Sequence, residues 1–343
     1  MRCTLFILLG LALGSCGPPT SRVTLGESAQ KPLKVTELQQ DSENRLALLA
    51  QQTSLSNNAV FSGYRANAAS NWQNNWTRRI DLSGVSWSQR QAGTAITPRH
   101  IVYAGHYPIK KNKPISFHDW QGNLHRRKII KAISLRRKEL PVKFDVIVGL
   151  LDLPLPPEVK TYRLLPLRSD YQHTLIDVPI LVTEQKRQVF INRIRRVTGR
   201  NLSMKYDKEE TLWPTKPLVK GDSGHPSFIL VGGEPVLVET HTGGGSGTGP
   251  FYSGEELLPN LEKAVADLDA SYRIQYIPLD REIIPASPEP EPRAPTTRTS
   301  PIRFPTSQPQ RPQSGQTTTP STPSPRRPRV RRVPTNNADE TSE

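Results

Sequence analysis

Apolar side chains between residues 59 and 280 occur in short runs that are separated by turn residues. The runs are rich in Val and Ile and end after about five residues, which is typical of β-strands. In chain order they are GTAIT, HIVYAG, FDVIVGLL, IDVPILVT, RQVFINRI, PSFILV and EPVLVETH. The pattern therefore predicts an all-β domain of antiparallel strands over residues 59–280, built either as two barrels or as one sandwich.

One late segment, EELLPNLEKAVADL, follows the helical period instead of the strand period. Its apolar side chains recur every three or four residues, so that they fall on one face of a helix. This pattern predicts an amphipathic helix near the end of the domain. The face expected to be buried consists of Leu258, Leu261, Val265 and Leu268.

The first fifteen residues have the pattern of a secretion signal. Arg2 is followed by an apolar run over residues 5–13, which is too short to span a bilayer comfortably. The segment ends in LGSC, which resembles the lipobox of bacterial lipoproteins, and the alternative is a plain signal peptide with an unrelated Cys. The lipobox hypothesis predicts an exported lipoprotein of the cell envelope, anchored by acyl chains on Cys16. Because Gly17 follows the Cys, and not the Asp that favours retention in the inner membrane, we expect the protein on the outer membrane or facing the periplasm.

The cysteine content limits the chemistry of the chain. Its 2 Cys are Cys3, in the segment expected to be removed, and Cys16, in the expected anchor. We therefore expect no disulfide, no Cys nucleophile and no Cys-based metal site. The sequence indicates no other metal site and no cofactor. The glycine-rich stretch GGGSGTG at residues 243–249 does not open a helix after a parallel strand, so it does not indicate a phosphate-binding loop.

Two further segments have too few apolar residues to form a core. Residues 16–58 are polar and weakly patterned, which indicates a flexible tether between the anchor and the domain. Residues 281–343 are dominated by Pro, Ser, Thr, Gln and Arg. Such a segment buries too little surface to offset its ordering entropy, so it is predicted to be a disordered tail.

The net charge of +15 raises the question of an anionic partner. Basic clusters occur in the domain and again in the tail, as RRPRVRR. Nucleic acid is not expected, because the chain is exported and no aromatic residues alternate with the charges. Two interpretations stay open. The clusters form a solvated basic surface, or the tail adheres to an anionic polymer of the envelope.

Candidate chemistry lies in VKGDSGHPSF, residues 219–228. Most Asp-Ser-Gly strings are ordinary turns, but small neighbours also suit a turn that exposes a nucleophilic Ser223 beside backbone N–H donors. A candidate base is His106, which follows two short strands and the small pair Ala-Gly. A candidate acid is Asp145, which leads into the apolar run DVIVGLL and must be satisfied locally. The alternatives are a surface His and a strand-start Asp held by backbone N–H groups.

Three blocks occur in the order His, Asp, Ser. ITPRHIVYAGH, FDVIVGLL and GDSGHP resemble the blocks of trypsin/chymotrypsin-like serine proteases of the bacterial, disulfide-free kind. The resemblance implies two antiparallel β-barrels of chymotrypsin type and a serine endopeptidase that acts on protein or peptide substrates through an acyl-enzyme. It implies Ser223 as nucleophile, His106 as base and Asp145 as the acid that orients it. The backbone N–H groups of Gly221 and Ser223 would form the oxyanion hole.

Two departures from the family pattern bear on activity. In the family, the Asp before the nucleophile pairs with a new N-terminal amine, but no Ile-Val-Gly-Gly start is visible here. Asp222 would therefore need a basic side chain or backbone N–H groups instead. His225 stands where the family usually has Gly, and a bulkier side chain could crowd the turn. The alternative function is a protease-like domain kept as a non-catalytic binding or scaffold lipoprotein of the envelope.

The resemblance also suggests the specificity of the site. The base of the family's substrate pocket corresponds to Pro217, so a basic substrate side chain would find no counter-charge. His241 aligns with a His of bacterial glutamate-specific relatives, which predicts a preference for an acidic residue before the cleaved bond. The alternative is that His241 only packs beneath its strand. Thr242, Gly243 and Gly244 would form the edge that pairs with the substrate backbone.

Overall fold

The structure is a computed structural model, and it describes residues 33–52, 54–87, 91–136 and 143–279. The predicted signal segment, Cys16 and the predicted tail from residue 281 to 343 lie outside the described residues, so these predictions stay predictions.

Short strands account for most of the described secondary structure. The strands are β1 (Phe61–Gly63), β2 (Asn71–Trp72), β3 (Val85–Ser86), β4 (Gly93–Ala95), β5 (His100–Ala104), β6 (Pro114–His118), β7 (Leu124–Ser134), β8 (Val146–Leu151), β9 (Pro179–Thr183), β10 (Val189–Val197), β11 (Asn201–Lys205), β12 (Pro226–Val231), β13 (Glu234–Thr240) and β14 (Thr248–Pro250). The helices are α1 (Leu38–Gln52), α2 (Tyr171–Thr174) and α3 (Leu258–Leu268), with 3₁₀ turns at Val35–Glu37 and Trp76–Arg79.

Twelve of the strands form two antiparallel sheets. The order in the first sheet is β3-β4-β5-β8-β7-β6, and in the second it is β13-β12-β9-β10-β11-β14. The outer strands of each sheet return to one another, since Cα atoms of β3 approach those of β6, and β13 those of β14, within 8 Å. The result is a nearly closed six-stranded barrel and a half-barrel sheet. The predicted all-β antiparallel fold is confirmed in this form.

The two sheets share a hydrophobic core. Val102 and Val146 of the first sheet lie in the same buried cluster as Phe228 and Leu237 of the second. Burying one side chain of this size contributes about 1.5–3 kcal/mol, so a shared cluster holds the two sheets together without disulfides. The strand ends that carry the candidate residues therefore stand on a packed support.

The predicted late helix is confirmed as α3. Leu258, Leu261 and Val265 are buried, and Leu268 packs partly buried against the same core. This face contacts β7 and β8 of the first sheet. The apolar period of three to four residues therefore located both the helix and its buried face.

The structure differs from the prediction of a tether over residues 16–58. Residues 38–52 form α1, which contacts β9 and β12 of the second sheet. Leu46 and Leu49 are buried in the shared core, and Asp41 Oδ2 accepts the Gly232 N–H at 2.8 Å. The described residues from 33 onward therefore belong to the folded domain, because Leu46 and Leu49 of α1 are buried against it.

Candidate active site

His106, Asp145 and Ser223 form one hydrogen-bonded row. His106 Nδ1 lies 2.5 Å from Asp145 Oδ2, and His106 Nε2 lies 2.9 Å from Ser223 Oγ. An ionised carboxylate only accepts hydrogen bonds, so Nδ1–H donates to Asp145 and Nε2 keeps a lone pair. The Ser223 hydroxyl then donates to Nε2. In this arrangement the imidazole can take the hydroxyl proton as the oxygen attacks a substrate.

Strand pairing in the first sheet brings the His and the Asp together. Ala104, the last residue of β5, pairs with Val146, the first residue of β8, and the Gly105 N–H donates to the Asp145 carbonyl over 3.1 Å. A Cβ at Gly105 would lie 2.9 Å from Asp145 Oδ1, which is closer than a side-chain carbon packs. Glycine at this position therefore leaves room for the carboxylate.

The row is open to solvent on one side. The side chains of His106 and Asp145 are 35% and 24% exposed. Arg136 Nη1 lies 3.7 Å from Asp145 Oδ1, but the Arg side chain is 56% exposed, so solvent screens this charge pair. A substrate can thus reach the imidazole and the hydroxyl, while the carboxylate stays partly covered beneath them.

A cleft of about 390 Å³ lies beside Asp145. It is formed by the entry to β8, by the loop between β10 and β11, and by residues that follow β13. Its lining residues are Lys143, Phe144, Asp145, Arg200, Asn201, Thr242 and Pro250. The cleft is open space next to the Asp145 end of the row.

The turn that carries Ser223 depends on glycine. Gly221 has a φ of +107° and Gly224 a φ of +84°, in the left-handed region that other residues adopt at a cost. A Cβ at Gly221 would also lie 2.4 Å from Gln185 Oε1. Within the described residues, the N–H groups of Gly221 and Ser223 have no acceptor. Two backbone donors are therefore free on the turn that holds the hydroxyl.

Asp222 is buried and satisfied by the backbone. Its Oδ2 accepts the Val219 N–H at 2.8 Å, and its Oδ1 accepts the Gln185 N–H at 3.3 Å. The sequence left two kinds of partner open for this carboxylate, a basic side chain or backbone N–H groups, and the structure has backbone N–H groups. The turn is thereby tied to the loop between β9 and β10 through both the carboxylate and the Gln185 side chain.

His225 does not crowd the turn, because its ring lies in the interior. The side chain is 0% exposed and stands near the ring of Trp87. Its Nδ1–H donates to the Asp222 carbonyl at 3.1 Å, in addition to its own backbone N–H. Burial and the neighbouring His241 lower the pKa of His225 to about 4, so the ring is neutral at pH 7. The departure from glycine thus adds a hydrogen bond inside the turn.

The predicted pocket residues occupy two segments that are joined directly. Leu218, next to Pro217, donates its N–H to Gly245 O at 2.7 Å and accepts the Gly245 N–H at 3.1 Å. The N–H groups of Thr242 and Gly243 both donate to Thr248 O at 3.0 Å.

Gly244 has no backbone partner within the described residues and is exposed. It is therefore the position of the predicted substrate edge that stays open to a ligand.

His241 does not line an open surface. It is 1% exposed, and its Nε2–H donates to Thr183 O at 2.9 Å. Its Nδ1 lies 2.7 Å from Glu239 Oε1, as an ion pair without hydrogen-bond geometry. Burial lowers the pKa of His241, but Glu239, the Thr183 carbonyl and the Asp222 charge together outweigh burial, so the pKa lies above its usual value. The structure thus favours the alternative in which this His packs beneath its strand.

Two contributors were not expected from the sequence. Glu239 is a buried carboxylate in β13, and the only sequence signal for it is a charged residue inside the apolar run VLVETH. Gln185 reaches the nucleophile turn from a separate loop, and no local motif marks it. Gln185 contacts a segment that is distant in the chain, whereas Glu239 faces His241 only two residues further on.

The described part of the chain contains no group of three or more His, Cys, Asp or Glu side chains arranged to hold a metal ion. Among the helices of the same residues, none is long and apolar enough to cross a membrane.

Neither a family model nor a curated protein matches this chain. The interpretation of the site therefore depends on its geometry and on the chemistry of its residues.

Proposed function

We propose that the protein is a serine endopeptidase. The observation that carries the proposal is the row Asp145–His106–Ser223, with hydrogen-bond distances of 2.5 and 2.9 Å. A Ser hydroxyl is a weak nucleophile by itself and needs an adjacent base that a third group orients. The row supplies all three parts. The turn that carries Ser223 also has two N–H donors that are free within the described residues.

The reaction follows from these positions. Ser223 Oγ attacks the substrate carbonyl while His106 Nε2 takes the hydroxyl proton, and the new imidazolium is stabilised by Asp145. The oxyanion accepts hydrogen bonds from the N–H groups of Gly221 and Ser223. Loss of one such donor typically costs about 2.7–4 kcal/mol of transition-state stabilisation.

The second half of the reaction reverses the proton transfers. His106 gives its proton to the leaving amine, which leaves an acyl group on Ser223 Oγ. A water molecule then loses a proton to His106 Nε2 and attacks the acyl carbonyl. The resulting oxyanion uses the same two donors, and collapse returns the free acid and the Ser223 hydroxyl.

The fold supports the same proposal. His106 and Asp145 stand at strand ends of the first sheet, and Ser223 stands before β12 of the second. We propose that the two sheets are the two barrels of a chymotrypsin-type fold, with the site at their junction. In that arrangement each sheet positions part of the row, so the geometry depends on the shared core.

The cellular setting of the proposal comes from the sequence. LGSC at residues 13–16 supports a lipoprotein of the cell envelope, held to a membrane by acyl chains on Cys16. The basic tail would provide a second contact, with an anionic polymer of the envelope. If the lipid is the anchor, Cys16→Ser moves the protein from the membrane fraction to the soluble fraction. Unchanged fractionation of this variant would contradict the lipid anchor without touching the peptidase proposal.

Cleavage of a peptide library tests the proposed activity. The purified wild type should cut a defined subset of peptides, and Ser223→Ala should cut none. Ser271→Ala is a matched control, because Ser271 is exposed and lies after α3, away from the row. A folded wild type without cleavage would favour the non-catalytic binding or scaffold function. Equal cleavage by Ser223→Ala would assign the activity to another residue or to a contaminant.

A further inference from the structure

An N–H group of an oxyanion hole must point towards the substrate oxygen. The orientation of its peptide group fixes that direction. In a trans peptide the C=O of one residue and the N–H of the next point in opposite directions. A hydrogen bond to that carbonyl therefore aims the following N–H to the other side. The direction of the Gly221 N–H is therefore set by the carbonyl of Lys220, and the direction of the Ser223 N–H by the carbonyl of Asp222.

The first of these carbonyls is held by a side chain. Gln185 Nε2 donates to Lys220 O over 3.0 Å, from the loop between β9 and β10. The same amide packs against the Cα of Gly221, where a Cβ would come within 2.4 Å of Gln185 Oε1. The carbonyl of Lys220 thus faces Gln185, and the N–H of Gly221 faces away from it.

The second carbonyl is held by His225. The backbone N–H and the Nδ1–H of His225 both donate to Asp222 O, each at 3.1 Å. The backbone bond is available to any residue at this position, but the ring adds a second donor to the same oxygen. The N–H of Ser223, on the opposite side of this peptide, is left free within the described residues.

We infer that Gln185 and His225 are positioning residues that hold the two oxyanion-hole peptides in their working orientation. The inference rests on the proposed function. Within the described residues, neither side chain hydrogen-bonds to His106, Asp145 or Ser223, so both would act through the peptide groups that they hold.

The placement of His225 supports a role beyond filling space. Its Nε2 is buried and has no partner within the described residues, which is an unfavourable position for a polar atom. An apolar side chain would fill the same volume beside Trp87 without this cost. What the imidazole adds is the Nδ1–H bond to the Asp222 carbonyl.

Backbone contacts also anchor the turn through Asp222, within the part of the chain that the structure describes. Asp222 is held by the N–H groups of Val219 and Gln185, at 2.8 and 3.3 Å. Gln185 therefore binds the turn twice, through its backbone N–H to the carboxylate and through its side chain to Lys220 O. Loss of its side chain removes only the second contact, so the effect of that contact can be measured separately.

The experiment compares full-length wild type with Gln185→Ala, His225→Ala and His225→Asn. Each protein is assayed for peptide hydrolysis and for inhibition by a peptide aldehyde, whose adduct with Ser223 carries a tetrahedral oxyanion. Lys186→Ala is the matched control, because Lys186 is exposed on the same loop. Thermal melting of each variant reports whether it is folded.

We expect both alanine variants to lower kcat by about 10- to 100-fold with little change in KM, because orientation of a donor matters only in the transition state. Aldehyde affinity should fall by a similar factor. His225→Asn should recover most of the loss, since its amide can donate near the position of Nδ1. Lys186→Ala should behave as wild type. A general packing defect would not lower kcat and aldehyde affinity by similar factors while leaving KM unchanged.

Two outcomes would contradict the inference. If folded Gln185→Ala and His225→Ala keep the kcat and the aldehyde affinity of wild type, the two side chains serve packing and the inference is wrong. If His225→Ala does not fold, unchanged kcat and aldehyde affinity in folded Gln185→Ala overturn the inference. A folded wild type that neither hydrolyses peptides nor binds the aldehyde would overturn the proposed function and this inference together.

Discussion

His106 Nε2 lies 2.9 Å from Ser223 Oγ, although 117 residues separate them in the chain. The contact joins the end of β5 in the first sheet to the turn before β12 in the second. Two side chains from different sheets meet at this distance only if both sheets hold their strand ends in place. The shared core that contains Val102 and Phe228 provides that support.

The row predicts strongly coupled losses of activity. Ser223→Ala, His106→Ala and Asp145→Asn should each lower kcat by about 10⁴- to 10⁶-fold, because the three residues act as a unit. The double variant Ser223→Ala/His106→Ala should be no worse than either single variant. Steady-state kinetics measures the losses, and circular dichroism checks the fold.

Near-normal turnover by Asp145→Asn would contradict the assignment of the acid. Asp152, at the other end of β8, is not a substitute, because its Oδ1 accepts the N–H groups of Lys128 and Leu153 at 2.9 and 3.0 Å. It therefore serves as a matched control in the form Asp152→Asn, which should keep the activity.

The conformation of Gly221 predicts a second pair of variants. Gly221→Ala and Gly245→Ala both place a Cβ at positive φ, at +107° and +72°. Each should lose about 1–2 kcal/mol of unfolding free energy from backbone strain. Only Gly221→Ala also meets Gln185, while a Cβ at Gly245 has nothing within 4 Å. Urea unfolding and peptide hydrolysis should therefore show similar destabilisation but a loss of activity only at Gly221. A Gly221→Ala enzyme with full kcat would contradict the proposed oxyanion hole.

Two buried histidines predict acid sensitivity of the fold. Burial lowers the pKa of His225 and of His100 from 6.5 to about 4. Between these values the unfolded chain binds more protons than the folded chain, so stability is full above pH 6.5 and falls as the pH drops towards 4. For the fully buried His225 the difference corresponds to about 3 kcal/mol. His241, whose pKa is raised, acts in the opposite sense, with a contribution present below pH 6.5 and lost at higher pH.

Urea unfolding of wild type and His225→Asn between pH 7 and 4.5 measures this dependence. The slope of unfolding free energy against pH should be smaller in the variant, because Asn does not titrate. Parallel slopes would mean that His225 binds protons equally in the folded and unfolded states, which would contradict the lowered pKa.

The position of His241 predicts no preference for acidic substrates. Thr183 O takes its Nε2–H, and Glu239 already faces its Nδ1 at 2.7 Å. A substrate carboxylate would find no free donor on this ring and would be repelled by Glu239. Matched peptides with Glu, Asp, Arg, Leu or Ala before the cleaved bond should show Leu or Ala cut faster than Glu. A clear preference for Glu that is lost in His241→Gln would restore the specificity expected from the sequence.

Local patterns in the sequence were enough for the parts of the fold that depend on local order. Short Val- and Ile-rich runs gave the strands, and the period of three to four in Leu258, Leu261 and Val265 gave α3. The helix α1 was assigned to a tether because its surroundings are polar and its buried leucines gain stability from tertiary contacts, including those with the second sheet. Such tertiary contacts are not encoded in a local window.

The residues of the candidate site also divide into those that local motifs indicate and those that no local motif indicates. His106, Asp145 and Ser223 lie in recognisable blocks, and the structure brings them together. Gln185 affects the site through a contact across the fold, and Glu239 through the direction of its side chain towards His241, so no motif indicates them. The sequence could align His241 with a pocket but could not tell that its ring turns inward to Thr183 and Glu239. Side-chain direction depends on packing, which the alignment of one residue does not provide.

The most direct test of the central claim is peptide mapping by mass spectrometry after reaction with a fluorophosphonate. This reagent phosphonylates an activated Ser and leaves ordinary Ser hydroxyls unmodified. The account predicts a single adduct on the peptide that contains Ser223, formed rapidly in wild type and strongly slowed in His106→Ala. An adduct on another residue, or no adduct on folded wild type, would contradict the claim that Ser223 is a nucleophile activated by His106.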